Sequence, residues 1–383
     1  MLEDKINSDN IFKLSKLFFP DKKISDVVKI TSGNVNETYR VFLADSLIIK
    51  SFIVQRLNSK VLKDLDSVIY NYLKLESYFN LWNTTSNSIL IAERWEFASL
   101  YKLKINDEFL ANYGGSNWRA IKNIDNSINY SLSSQIVNKR EIGIGLAKFH
   151  MIYKDFKLDE IRPVIKHFHD TCYYLDEFDL SYQKTLKFNE LSKSNNKISK
   201  ILDFIANTRH LTDSLPNASI RKMLTTQIVH TDPKLDNFMF DIDTNKVISL
   251  IDLDTVQPGL IINDIADCMR SCCNPEGEDA LLNDVDFNLD IFNEILDGYC
   301  SIAKPILKKV DLENLYIYLR IISFELGVRF FTDYLNHNIY FHTEYENHNL
   351  DRAEVQFTIS EIIYKKNRHI KHILQNLSLK YEI

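Results

Sequence analysis

The stretch from His230 to Asp254 constrains this chain more than any other. It opens with His230, Thr231, Asp232, Pro233, Lys234, Leu235, Asp236 and Asn237, continues through Phe238 to Phe240 and a polar DIDTNK run, and ends with an apolar VISLI leading to Asp252. TQIVH before Thr231 and VISLI at 247–251 read as short strands, and residues 241–246 as a hairpin turn. One hairpin then presents Asp232, Lys234, Asn237 and Asp252 together. Phosphoryl transfer asks for such a set: a carboxylate to orient and deprotonate a hydroxyl, a cation on the moving phosphate, and oxygen ligands for magnesium. Asp232 is assigned as the base, Lys234 as the γ-phosphate contact, and Asn237 and Asp252 as metal ligands. Asp254 shares a face with Asp252 in an extended segment. It reads as a second-shell or bridging ligand, or equally as a solvated turn carboxylate.

The rest of the chain must hold that hairpin. Alternating apolar stretches at 39–43, 46–57 and 117–124 read as strands, with a helical stretch near 62–80. From about residue 135 the period changes: Ile142, Leu146, Phe149 and Tyr153 fall on one helical face, and 196–213 and 312–335 behave likewise. Residues 183–200 and 274–288 are polar enough to be loops or exposed helix ends. The expectation is an α+β fold with two units, 1–126 and 127–383. The 383 residues are 45% hydrophobic, with 46 basic and 52 acidic side chains and a net charge of −6. That balance, without a polybasic block, gives nucleic-acid or membrane-surface binding little support. The polar, acidic N-terminus and the lack of a long apolar run lead us to expect a cytoplasmic protein. The five cysteines, with no paired metal-ligand spacing, read as free thiols.

HTDPKLDNFMF followed by SLIDLDTV resembles the catalytic and metal-binding segments of the aminoglycoside phosphotransferase and choline kinase group, relatives of the protein kinases. Where those proteins carry His-Gly-Asp, this chain has His230, Thr231 and Asp232. Within the group, N-acetylhexosamine 1-kinases are similar over this region, over INDIADCMRS, and over SGNVNETYRV, FIVQRLN, WRAIKNI and the stretch 324–357. The resemblance implies a protein-kinase-like two-lobed fold, ATP and Mg2+, and phosphorylation of the anomeric hydroxyl of an N-acetylated amino sugar. It also implies that Asp264 tethers the catalytic loop, although an N-cap before IADCMRS is a local alternative. Rival readings are a same-fold kinase for choline, ethanolamine, an aminoglycoside or another sugar, and a non-catalytic nucleotide-binding scaffold.

At the nucleotide end, Ser32 to Asn36, with Gly33 and Asn34, read as a turn covering phosphates or as an ordinary hairpin. Arg56 occupies the place where choline kinases carry a phosphate-gripping base. Period two sets Val54 and Arg56 on one face and Gln55 on the other. Its acidic partner stays open among Asp64, Asp66 and Glu76, and the adenine hinge is expected near 120–124. At the acceptor end, Glu325, Arg329 and Asp333 form a four-residue-spaced stripe, readable as surface ion pairs. By resemblance Arg329 and Tyr340 contact the sugar. His167, His169 and Asp170 make a poor metal signal, and a structural histidine is preferred to a metal ligand there; the resemblance implies that these residues shape the sugar pocket or its wall.

Overall fold

The structure is a computed structural model that describes residues 8–30, 35–44, 49–59, 61–85, 94–130, 138–187 and 196–383. The N-terminal part holds helix α1 (Ser8–Phe18), strands β1 (Ile24–Ile30), β2 (Glu37–Leu43) and β3 (Ser51–Arg56), helix α2 (Leu65–Thr85), and strands β4 (Leu100–Tyr101), β5 (Ala111–Tyr113) and β6 (Ser116–Lys122). These strands form one antiparallel sheet in the order β1-β2-β3-β6-β4, with β5 on β6. Alternation decides its faces. Tyr39, Val41, Phe52, Val54, Trp118 and Ala120 form one core with Ile11, Leu14 and Phe18 of α1. Thr38, Gln55 and Arg119 therefore point to the opposite face. Of the strand expected over 46–57, Ser51–Arg56 form β3, the described residues 49, 50 and 57 lie outside it, and 45–48 lie outside the described residues.

Strand β7 (Ser127–Ile128) and helix α3 (Lys139–Ile152) lead into the helical part, followed by α4 (Thr171–Lys187), α5 (Asn196–Thr208) and α6 (Ala218–Arg221). Strand β8 (Thr226–Val229) precedes the hairpin β9 (Phe238–Asp241) and β10 (Val247–Leu250), and β11 (Gln257–Leu260) returns to pair with β8. Helices α7 (Ile261–Cys272), α8 (Leu289–Ala303), α9 (Lys309–Leu335), α10 (His348–Lys365) and α11 (Asn367–Tyr381) complete the chain. The periodic face of α3 is buried as expected, and α3 meets α8 with almost no space between backbones. A Cβ on Gly143 would lie 1.8 Å from the Ile295 oxygen, and one on Gly298 2.1 Å from the Arg140 oxygen. Of the two polar stretches, 274–288 forms no helix or strand, and 183–200 holds the end of α4 and the start of α5, both within the expectation of loops or exposed helix ends.

Candidate active site

The loop between β8 and β9 is held from below by one carboxylate. Asp264, fully buried, accepts the His230 N–H at 2.6 Å and the Thr231 N–H at 2.8 Å. Its Oδ2 also lies 3.0 Å from His150 Nε2, whose other ring nitrogen meets the Tyr299 hydroxyl at 2.7 Å. Burial pushes the Asp264 carboxyl up, but the bonds from His150 and the His230 backbone outweigh it and hold the group below its ordinary value. Helix α7 begins at Ile261, so the N-cap alternative for Asp264 is not what the structure shows.

Thr231 explains why the loop needs that tether. Its φ is 75°, a left-handed conformation in which a β-branched side chain is strained. The related group's glycine suits this position without strain. Here the threonine hydroxyl bonds the Thr255 hydroxyl at 2.7 Å, which offsets part of that cost. His230 does a second job: its Nε2 donates to the Ile251 carbonyl at 2.8 Å, and its Nδ1 accepts the Asp232 N–H at 3.3 Å. One buried ring, its pKa lowered by burial, thus sets Asp232 beside the residue that precedes Asp252.

Around that ring the expected catalytic residues come together. Lys234 Nζ lies 3.0 Å from Asp232 Oδ2; burial opposes its charge, but Asp232 and Asp252 keep the pKa raised. Asn237 spends its amide nitrogen on the Asp232 carbonyl at 2.8 Å, which leaves the amide oxygen as its ligand atom. Asp252 sits at φ 63°. Burial first, and then the charge of Asp254, push its carboxyl up to about 6, against the pull of Lys234. A carboxylate so disfavoured is one that a cation would relieve. Among the described residues, no three His, Cys, Asp or Glu side chains are arranged to hold a metal by themselves. Asp252 and Asn237 instead fit magnesium, which takes one or two carboxylates and fills its remaining positions with water and phosphate.

Asp254 is not a solvated turn carboxylate, since it is 5% exposed. Arg119 of β6, 1% exposed, grips both its oxygens, and Asn36 Nδ2 donates to it at 2.9 Å. Arg119 also donates to Gln55 Oε1 at 2.9 Å and lies over the Tyr72 ring at 5.6 Å. The sheet therefore sends Arg119 toward the hairpin. Arg56 goes elsewhere: its Nε donates to Ser116 at 2.9 Å, and Nη1 lies 3.5 Å from Glu37 on the α1 side. Gly33 and Asn34 lie outside the described residues.

The residues expected at the acceptor end form a box built from distant segments. The Arg329 guanidinium lies over Tyr174 at 4.9 Å, Phe168 at 5.1 Å, Phe341 at 5.6 Å and Tyr340 at 5.8 Å. It makes no ion pair or hydrogen bond among the described residues. The stripe at 325, 329 and 333 is thus not a row of surface ion pairs. Glu325 turns to Thr171 at 2.7 Å and His169 at 3.3 Å. Asp333, 6% exposed, accepts the backbone N–H groups of Ile339, Tyr340 and Phe341 at 2.8 to 2.9 Å and Asn349 Nδ2 at 3.0 Å. Those bonds fold the loop after α9 so that two of its rings reach Arg329. Between box and hairpin lies Arg270, bonded to Asp267 at 2.8 Å and Glu278 at 3.0 Å. Sequence reasoning gave Arg119, Asp267, Arg270 and Glu278 no role; the usable signal was INDIADCMRS, a resemblance without assigned residues.

Residues 114–294 match the family model described as the phosphotransferase enzyme family, APH. Among solved structures the chain is similar to choline kinase from Cryptosporidium parvum, at 13% identity and TM-score 0.59, over 98% of this chain and 100% of that one. It is similar to a choline/ethanolamine kinase family protein from Mesorhizobium loti, at 11% identity and TM-score 0.56, over 96% and 99%. Amicoumacin kinase in complex with AMP-PNP, Ca2+ and Ami matches at 11% identity and TM-score 0.55, over 92% and 93%. At these identities the likeness shows a shared kinase-type fold. Among the described residues, no helix is long and apolar enough to cross a membrane.

Proposed function

We propose that this chain is an ATP- and Mg2+-dependent small-molecule kinase that phosphorylates the anomeric hydroxyl of an N-acetylhexosamine. The observation that carries the kinase reading is the hairpin itself, where Asp232, Lys234, Asn237 and Asp252 surround one point. The acceptor hydroxyl hydrogen-bonds to Asp232; as its oxygen forms a bond to the γ-phosphorus, the bond to the β–γ bridging oxygen breaks. The proton passes to the Asp232 carboxylate, and ADP leaves with the electron pair. Lys234 neutralises charge on the transferring group, and its bond to Asp232 aligns donor and base. Asn237 and Asp252 would hold the magnesium, which supplies charge neutralisation across the phosphates. Residues 1–126 would form the nucleotide-binding lobe and 127–383 the catalytic and acceptor lobe. A non-catalytic scaffold has no use for a base, a phosphate cation and two metal ligands in one place.

The Arg329 box supports a neutral acceptor. Four aromatic rings around one point could cage a quaternary ammonium, but here the cage already holds a guanidinium. Choline would meet a like charge inside the cage. A guanidinium with spare N–H groups suits a carbonyl oxygen such as that of an acetamido group. Two further carboxylates that could attract an amine, Asp267 and Glu278, are both paired with Arg270.

An ATP-consumption screen over N-acetylhexosamines, free hexoses, choline and aminoglycosides, with phosphorus NMR of the product, tests the assignment. We expect a sugar 1-phosphate from N-acetylglucosamine or N-acetylgalactosamine. Turnover confined to choline or aminoglycosides would overturn the acceptor and leave the kinase; ATP left untouched with every acceptor would overturn both.

A further inference from the structure

A surface groove on α9 belongs to neither the hairpin nor the box. It measures about 490 Å3 and is walled by α9, the end of α10, α11 and the short helical turn Arg209–Ser214. A second hollow of about 350 Å3 adjoins it and shares Leu211, Arg320 and Tyr364. Hollows of this size accommodate small molecules. Arg320 precedes Arg329 by nine residues, which is about 13 Å along the helix and about half a turn around it. The groove therefore opens on a different face of α9 from the acceptor box.

Its cations are ones that the fold leaves uncompensated. Along α9 to α11, Lys309, Arg352, Lys365, Lys366 and Lys380 each have a carboxylate partner. Arg320 and Lys371 have none among the described residues. The half-buried Arg320 lies over the Tyr364 ring at 4.6 Å and beside the Tyr316 hydroxyl, and its Nε has no hydrogen-bond partner. The Lys371 ammonium lies over the Tyr316 ring at 4.9 Å. Ring faces steady a cation without consuming its N–H groups. The two carboxylates that border these hollows, Glu313 and Glu361, are paired along their own helices with Lys309 at 3.8 Å and Lys365 at 2.9 Å. Two cations thus stay open to an anion.

The lining amides specify the rest of the ligand. Asn314 donates its amide nitrogen to the Val310 carbonyl at 2.7 Å, and Asn367 donates its own to the Tyr364 carbonyl at 2.8 Å. Each keeps its amide oxygen as an acceptor, which calls for a donor on the ligand. An ammonium donor is repelled by Arg320 and Lys371; hydroxyl groups are not.

We propose that this groove binds a phosphorylated polyol such as a sugar phosphate, with Arg320 and Lys371 on the phosphate and the amide oxygens of Asn314 and Asn367 on hydroxyl groups. The planar guanidinium presents paired N–H groups that match two phosphate oxygens, and Lys371 adds a point charge. The claim concerns binding alone and does not depend on which acceptor the hairpin serves.

Calorimetric titration of the full chain with glucose 6-phosphate, glucose and inorganic phosphate tests it, without ATP, on wild type and on Arg320→Gln, Lys371→Gln and Arg329→Gln, with Tm as the folding control. Wild type is expected to bind glucose 6-phosphate at least ~10-fold more tightly than glucose, which lacks the charge. Arg320→Gln should weaken that binding ~10-fold, the loss of about one charge-assisted hydrogen bond. Lys371→Gln, at a more exposed position, should weaken it about threefold. Arg329→Gln, in the other site, should change it less than about twofold. Wild-type protein that takes up no glucose 6-phosphate would overturn the proposal. So would binding that survives both groove variants, or binding that falls in Arg329→Gln instead, which would place the ligand in the acceptor box. Inorganic phosphate bound as tightly as glucose 6-phosphate would overturn the role of the two amides. Should Arg320→Gln fail to fold, the exposed Lys371→Gln decides.

Discussion

Asp264 under the hairpin is fully buried and Arg329 in the aromatic box is partly buried, and the two charges are compensated in different ways. Asp264 receives backbone N–H groups and a histidine. Its capacity is used within the protein, and the loop it holds is fixed before any ligand arrives. Arg329 is met by ring faces, which stabilise a cation by their quadrupoles without consuming its N–H groups. Its hydrogen bonding is held for a ligand. Under the proposed function, the difference separates a part built for chemistry common to many acceptors from a part built to choose one. Preorganisation belongs to the hairpin, and unspent polarity belongs to the box.

Breaking the charge balance beside the hairpin should have the largest effect. Arg119→Gln strands Asp254 in a site where both partners are almost fully buried. We expect a loss of about 3–5 kcal/mol in urea unfolding. The double variant Arg119→Met with Asp254→Leu should regain most of that stability, since it removes both charges, yet it should not regain activity. A single variant as stable as wild type would show that the sheet and the hairpin are not coupled through this pair.

Next in size is Asp264→Asn, which replaces an oxygen by an NH2 facing donors and should cost about 3 kcal/mol. Because the folded Asp264 carboxyl lies below its ordinary value, its contribution is fully present above the unfolded pKa of about 3.9 and is lost as pH falls through the folded value. The wild-type protein should therefore lose stability more steeply than the variant between pH 4 and pH 2 (~2 pH units). Parallel acid limbs in the two unfolding curves would contradict the tether.

A smaller effect, confined to the box, is expected from Asp333→Asn. It weakens the bonds that fold residues 339–341 over Arg329, so the KM for the acceptor should rise roughly fivefold, about 1 kcal/mol. The KM for ATP and the rate at saturating acceptor should stay near wild type. A matching fall in kcat would mean that the loop also orders the hairpin, and the separation between the two regions would be lost.

The hairpin's geometry was legible because it is local: Asp232, Lys234, Asn237 and Asp252 lie within one supersecondary unit, where strand and turn signals fix their relation. The strain at Thr231 was not legible, since φ follows from the tether and not from the residue. Arg56 shows how a period can be read correctly and used wrongly. Alternation places it with Val54, and Val54 faces α1, so the base facing the hairpin comes from Arg119 on a neighbouring strand. Only the pairing of β3 with β6 reveals that. For the box, α9 was expected in nearly its observed range, but the rings around Arg329 come from 168, 174, 340 and 341, and no helical period links them. His169 was preferred as a structural histidine over a metal ligand, and its bond to Glu325, 156 residues away, left no local signal.

The most direct test of the phosphotransfer claim is a comparison of wild type with Asp232→Asn, matched for Tm, in ATP, Mg2+ and N-acetylglucosamine. Transfer is followed by phosphorus NMR. The hairpin geometry predicts sugar 1-phosphate from wild type and a kcat lower by ~10²–10⁴-fold in the variant, with ATP affinity retained. Transfer undiminished in Asp232→Asn would contradict the assignment of Asp232 as the base.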